Sequence, residues 1–210
     1  MVQKSEDAEE KPTPRPRGRP RSFDTEATLA QATLTFWQRG YAATSLDDLS
    51  AATGLNRPSL YGAFGDKHSL YLQALRLYTE QSNAAIAKAF EGRSLRDGLL
   101  RVYELALQLY CPSDAAARGC LLIGTAATEA PRDEAIRRAL GEALRGFTAA
   151  FEARMQHAVD AGELPRGTDA ALRAQLASAV LHSMALRARA GDARAELAAF
   201  AAAGVEMICA

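Results

Sequence analysis

The sequence predicts an all-α protein in two helical parts, a compact N-terminal trio and a longer C-terminal set. Three observations carry this. Apolar residues recur at three-to-four-residue spacing along most of the chain, and no stretch alternates in the manner of a strand. Alanine, leucine, arginine and glutamate dominate a composition that is 48% hydrophobic, so helix formers fill both buried and exposed positions. Glycine, proline and Ser/Asp/Asn caps fall at the breaks between periodic runs. At 210 residues the chain can bury a substantial core, as one large domain or two small ones.

Residues 1–23 differ from the rest. They hold four prolines, an acidic patch from Glu6 to Glu10 and a basic run from Lys11 to Arg21, without apolar periodicity. Such a segment reads as disordered in free solution. Its core, Arg17-Gly18-Arg19-Pro20-Arg21, resembles arms that lay arginines into narrow A·T-rich minor grooves; the other reading is a solvated leader. The charge distribution favours the arm. Between Lys11 and His68 eight Lys or Arg face five acids, whereas residues 69–210 carry sixteen of each and the whole chain is neutral. Attraction for a polyanion is therefore local.

Asp24 or Thr25 caps a first helix whose core stripe is Leu29, Ala32, Phe36 and Trp37 and whose end is Gly40. Residues 45–67 then read as two short helices joined by a glycine turn. Leu46 and Leu49 share a face that Ala52 extends, while Gly54 and Leu55 supply the turn and its apolar plug. Thr44 and Asp47 have capping-box spacing, which puts Thr44 at a helix N-terminus, where it either only caps or also meets a phosphate. Asn56 caps the second helix, Pro58 is tolerated in its first turn, and Leu60 and Phe64 turn inward. Arg57, Ser59, Tyr61 and Gly62 remain outside. They suit a DNA major groove: arginine chelates guanine O6 and N7, serine donates or accepts, and Gly62 permits close approach. Gly65 ends this helix and Asp66 caps the next, placing Lys67 where it can hold a phosphate.

Thr44, Leu49, Ala52, Gly54, Leu55, the run SLYGAF from Ser59 to Phe64, and Lys67 together resemble the N-terminal signature of TetR/AcrR-type transcriptional regulators, across about residues 24–72. Gly62 and Ala63 are small where many members carry an aromatic residue or His, which shifts the expected contacts to Arg57, Ser59 and Tyr61. The resemblance implies that Thr44, Tyr61 and Lys67 touch the phosphates of a double-stranded operator and that Arg57 and Ser59 read base edges.

Turn signals divide the remainder. A long helix runs from about Lys67 to Phe90 and stops at Glu91-Gly92-Arg93; Ser94 caps another that reaches Tyr110. Pro112 to Gly119 reads as a loop, followed by a short apolar helix from Cys120 to about Ala130. Pro131 restarts the chain, and the next helix extends to about Ala161. The last two span about Asp169–Ala190 and Asp192–Ile208, with Asp192 as the cap of the final one. Both are apolar on more than one face, exceeding what a monomer edge normally exposes, so a homodimer is expected. A charge at an apolar position there, for example Leu181→Glu, is expected to break the seam. Two reading heads a helical turn apart, roughly 34–36 Å, then read a palindrome. The family resemblance implies the same pairing of the last two helices, and a small-molecule pocket whose occupancy alters the spacing of the reading helices.

Tyr78, Tyr103, Leu107, Tyr110, Ile123, Thr125, Phe147 and Phe151 offer the apolar and hydroxyl-bearing surface of such an effector pocket, although each equally serves as ordinary core. Cys120, flanking the loop with Cys111, is a further candidate. Arg118 and a helix start beside it would stabilise a thiolate, which gives a second reading as a redox or electrophile sensor at Cys111 and Cys120.

The expected division is a basic arm at 1–23, a helix-turn-helix DNA-binding domain at 24–68, and a helical effector-binding and dimerisation domain at 69–210. His68, His157 and His182 fall on separate helices, and neither a nucleophile triad, a phosphate loop nor a metal-ligand spacing occurs, so no enzyme activity, cofactor or metal is expected. No apolar run reaches membrane-spanning length, no signal-peptide core is present, and three cysteines without paired spacing fit a reducing cytoplasm. The functional expectation is a ligand-released repressor. Architectural DNA binding, and last an enzyme with an appended helix-turn-helix, are the readings of another class.

Overall fold

The structure, a computed structural model, describes residues 23–113 and 116–210. The expected arm, with Arg17, Arg19 and Arg21, lies outside these residues. Among the described residues all regular structure is helical: α1 Thr25–Arg39, α2 Leu46–Thr53, α3 Arg57–Phe64, α4 Lys67–Phe90, α5 Leu95–Tyr110, a π-helical turn Leu122–Ala126 running into α6 Ala127–Glu129, α7 Glu134–Asp160, α8 Ala170–Ala190 and α9 Arg194–Cys209.

Caps set most of these boundaries. Asp24 accepts the amides of Glu26 and Ala27 at 2.9 and 3.2 Å, Asn56 that of Ser59 at 2.9 Å, Asp66 that of Ser69 at 2.7 Å, and Asp169 that of Leu172 at 2.9 Å. Gly54 ends α2 at φ +70°, a left-handed turn that a side chain would strain.

Four local expectations are corrected. The cap of α2 is Ser45, not Thr44: Ser45 and Asp48 form the capping box, while Thr44 is buried and its hydroxyl donates to the Gly40 carbonyl at 2.6 Å. The two hydroxyl residues are adjacent, and Gly40 claims the first. Ala52 is exposed, so α2 buries Leu49 with Leu46 packed beside it and does not continue that stripe. The short helix begins at Leu121 and widens into a π turn, leaving Cys120 ahead of it. Asp192 does not cap α9. Its carboxylate is taken by Arg187 Nε at 2.6 Å, and Glu196 instead accepts the Ala193 amide at 3.2 Å.

Helices α1 to α3 form a small head that packs through α1 onto the N-terminal half of α4. Phe36 is fully buried there, edge-on to Tyr71 of α4 at 5.0 Å between ring centroids. The long α4 then continues into the larger bundle, where it packs on α5 and α7. Helix α8 fills the space between α7 and α9, and α9 closes over α5. Loop residues 116–120 return to the head: Trp37 Nε1 donates to the Gly119 carbonyl at 3.0 Å. Gly119 must be glycine, because at φ +62° a Cβ would stand 2.4 Å from the Ala185 carbonyl oxygen.

Candidate DNA interface and effector cavity

Helix α3 is held by Leu60 and Phe64, both buried, which leaves Arg57, Ser59, Tyr61 and Gly62 along its outer side. Arg57 is engaged by Asp47 of α2: Nη2 lies 2.7 and 2.8 Å from the two carboxylate oxygens and Nε 3.1 Å from one of them. Both side chains are exposed, so the pair contributes little stability and exchanges readily for an anion or a base edge. Asp47 holds the guanidinium in place in the meantime. Neither that partner nor its geometry is visible in residue spacing, since Asp47 and Arg57 sit on different helices.

Lys67 opens α4 with its ammonium 4.6 Å over the Tyr41 ring. Partial burial lowers its pKa, with Glu129 and Asp48 opposing that shift. A cation–π seat fixes the direction of an otherwise flexible side chain. Tyr41 is thus a contributor that the sequence reading missed. Thr44, expected to reach phosphate, has its side chain turned into the head and its hydroxyl committed to Gly40.

A cavity of about 290 Å³ opens between the head and the bundle. Trp37 of α1 forms one wall, followed by Tyr78, Ser82 and Ile86 of α4, Val102, Ala106 and Tyr110 of α5, Phe147 of α7 and Leu181 of α8; Gln81, Ala85, Leu105 and Leu109 complete it. Three predicted residues, Tyr78, Tyr110 and Phe147, therefore line it. Cys120 stands behind them, accepting from the Tyr78 hydroxyl at 3.2 Å. The other predicted lining residues are structural. Tyr103 donates to the Ala177 carbonyl at 3.0 Å, Thr125 shares a hydrogen bond of 2.5 Å with Tyr71, Phe151 packs edge-on to Phe90, Leu107 is core, and Ile123 packs against the core from the π turn. Trp37, Val102 and Leu181 were missed as lining, because an inward-facing residue shows its helix face in sequence but not its neighbour. Leu181 faces this cavity rather than a surface seam.

The thiolate expected at Cys120 is not supported. Burial pushes its thiol up, against smaller opposing hydrogen bonds from Tyr78 and from the amides of Ile123 and Leu122. Cys111 is likewise raised by burial, with Arg194 opposing. Arg118 does not serve either thiol. It stacks at 4.4 Å over Trp37 and donates to the Leu109 carbonyl at 3.1 Å. The premise of a reactive cysteine pair is therefore corrected: the low-dielectric wall outweighs the helix start.

Among the described residues no group of three or more His, Cys, Asp or Glu is placed to hold a metal, and no helix is long and apolar enough to cross a membrane.

Comparison with known proteins supports the same reading. The family profile described as bacterial regulatory proteins, tetR family, matches residues 29–74, and a tetracyclin repressor-like C-terminal domain profile matches residues 98–203. The HTH-type transcriptional repressor ComR of Escherichia coli (strain K12) is 33% identical over 83% of this chain and 84% of its own. The HTH-type transcriptional regulator YezE of Bacillus subtilis (strain 168) is 31% identical over 70% of this chain and 76% of its own. Among solved structures, a cysteine mutant of the TetR family transcriptional regulator CifR, complexed with 26-bp double-strand operator DNA, superposes with a TM-score of 0.81 at 31% identity, covering 90% of this chain and 98% of that one. With both halves of the chain matched and the reading helix exposed on a small three-helix head, the protein belongs to the TetR family of bacterial regulatory proteins and is a DNA-binding transcriptional regulator.

Proposed function

We propose that the protein is a cytoplasmic repressor that binds a palindromic operator as a homodimer and is released from it by a small molecule held in the cavity. The observation that carries this is the composition of the cavity wall. Trp37 comes from the head that displays α3, and the remaining walls come from α4, α5, α7 and α8 of the bundle. A molecule seated there touches both parts, and a ligand shifts the DNA equilibrium by its differential affinity for the two arrangements.

In this reading Arg57 and Ser59 take base edges while Tyr61 and Lys67 take phosphates; Thr44 positions the turn before α2 instead of contacting DNA. The partner surface is α8 with α9. Leu172, Leu176 and Leu186 on α8 are 52%, 44% and 56% exposed, and Met207 on α9 is 73% exposed. Large apolar side chains left exposed on both of the last two helices support pairing with a second copy. The names of ComR and of the operator-bound CifR support the repressor and operator assignments.

The test is fluorescence anisotropy on a fragment from upstream of the protein's own gene, combined with footprinting. The expected result is a saturable, salt-sensitive complex of one dimer on an inverted repeat, dissociated by a small molecule. Binding without a preferred site, unaffected by any cavity ligand, returns the architectural reading.

A further inference from the structure

The cavity's chemistry narrows what can occupy it. None of its lining residues carries a formal charge. Its ionisable members, Tyr78 and Tyr110, are held neutral because burial pushes both hydroxyls up. Arg118, which stacks on the Trp37 side of the wall, is engaged by that ring and by the Leu109 carbonyl. A charged molecule entering this space would lose its hydration without a counter-charge.

Polar groups gather at one end. The Tyr78 hydroxyl donates to Cys120 Sγ at 3.2 Å, and Ser82, one turn further along α4, and Tyr110 of α5 share the wall with it. Sulfur is a weak acceptor, so an oxygen arriving at this end offers Tyr78 a better partner than the one it has. Apart from Gln81, the rest of the wall is apolar: Ile86, Val102, Ala106, Phe147 and Leu181 offer no hydrogen-bonding side chain. About 290 Å³ at interior packing density accommodates roughly a dozen non-hydrogen atoms.

Trp37 makes occupancy mechanically visible. Its ring stands edge-on to Tyr78 at 4.9 Å, Arg118 stacks over it, and its Nε1 is tied to Gly119. On the same helix, Ala32 and Phe36 form the core of the head. Displacement of the Trp37–Tyr78 contact therefore acts on α1 directly, beside any movement of α4.

Resting on the repressor reading above, we infer that the cavity takes an uncharged, mainly apolar molecule of about a dozen non-hydrogen atoms with one hydrogen-bonding head, seated head-first at Tyr78 and Tyr110, and that its contact with Trp37 carries occupancy into the DNA-reading head.

Trp37 is the sole tryptophan of the chain, so its emission reports the cavity without a label. Three probes separate the chemistry: para-pentylphenol, its headless counterpart pentylbenzene, and the charged para-pentylbenzoate. Calorimetry on the full chain without DNA should show the phenol binding saturably with a change in Trp37 emission, and the benzoate binding at least about tenfold more weakly, with pentylbenzene between them. Ala106→Phe, filling the cavity from α5, and Ala85→Phe at its mouth should both lose the phenol's heat and emission change; the second sits at an exposed position and guards against misfolding of the first. At equal phenol occupancy, Trp37→Phe should release less operator than the wild-type chain.

No phenol binding, equal binding of the benzoate, or binding retained in both filled variants overturns the ligand class. Unchanged emission on saturation, or undiminished release by Trp37→Phe, overturns the role of Trp37. Operator binding by the unliganded chain is measured separately, so failure of the repressor reading is recognised by its absence and not confused with failure of the ligand class.

Discussion

Arg57 is the residue proposed to read base edges, and on the protein alone it is paired with Asp47. A guanidinium in water gains little from an exposed carboxylate but is held in one place by it, which reduces the ordering needed if a guanine replaces the carboxylate. Arg57→Ala should therefore relax preference at one base pair in each half-site, a discrimination of about 1–3 kcal/mol, as measured by anisotropy across a set of operator variants. Unchanged affinity and preference would place the reading face elsewhere. The role proposed for Lys67 is charge alone. Lys67→Ala should weaken binding alike on all sequences and lower the salt slope by about one unit, whereas a shift in sequence preference would contradict its assignment to phosphate.

Among the elements, the loop before the π turn and the last two helices make opposite demands. Gly119 is wedged against the Ala185 carbonyl with positive φ while its own carbonyl anchors Trp37. Gly119→Ala should lower stability by about 1–3 kcal/mol in chemical denaturation, and a change near zero would mean that the backbone there yields freely. On α8 the outcome depends on the face. Leu176 is exposed on the protomer and Leu181 is buried on the cavity wall. Leu176→Glu should give a folded monomer by light scattering and circular dichroism; Leu181→Glu should destabilise the fold itself by burying an uncompensated charge. A wild-type chain that is monomeric at micromolar concentration would remove the dimer from the reading.

For the whole molecule, acid stability follows from two kinds of group. Burial lowers the pKa of His182 from its ordinary value of 6.5, so protonation below that value is favoured in the unfolded chain and opposed in the folded one. Stability is full above about pH 6.5 and falls as the pH drops toward the folded value. The carboxyls of Asp48, Asp66 and Asp133 are lowered from 3.8 chiefly by hydrogen bonds, from Ser45, Ser69 and the Ile136 amide respectively. Their contribution is present above that value and is lost as the pH falls further. The thermal midpoint should thus decline in two stages on acidification, the first removed by His182→Gln and the second retained. A midpoint flat between about pH 7 and 5 would show that the buried imidazole is hydrated in solution.

Helix number, most breaks and the outward face of α3 were legible in the chain because each depends on residues within about four positions of one another: Asp24, Asn56, Asp66 and Asp169 cap where they stand, and Leu60 with Phe64 orient α3. Packing between distant elements decided the rest. Whether Thr44 or Ser45 caps α2 turns on the Gly40 carbonyl; whether Asp192 caps α9 turns on Arg187; whether Cys120 is a thiolate turns on the wall that buries it. Trp37 belongs to an inward stripe in any reading, yet only the seating of α1 against α4 and α5 makes that stripe the wall of a cavity. Helix α8 is apolar on several faces, so its periodicity could not distinguish Leu181 from Leu176. Their roles parted only when α7 and α9 covered one face and left the other bare, since burial is a property of neighbours brought together by the fold and not of spacing along one helix.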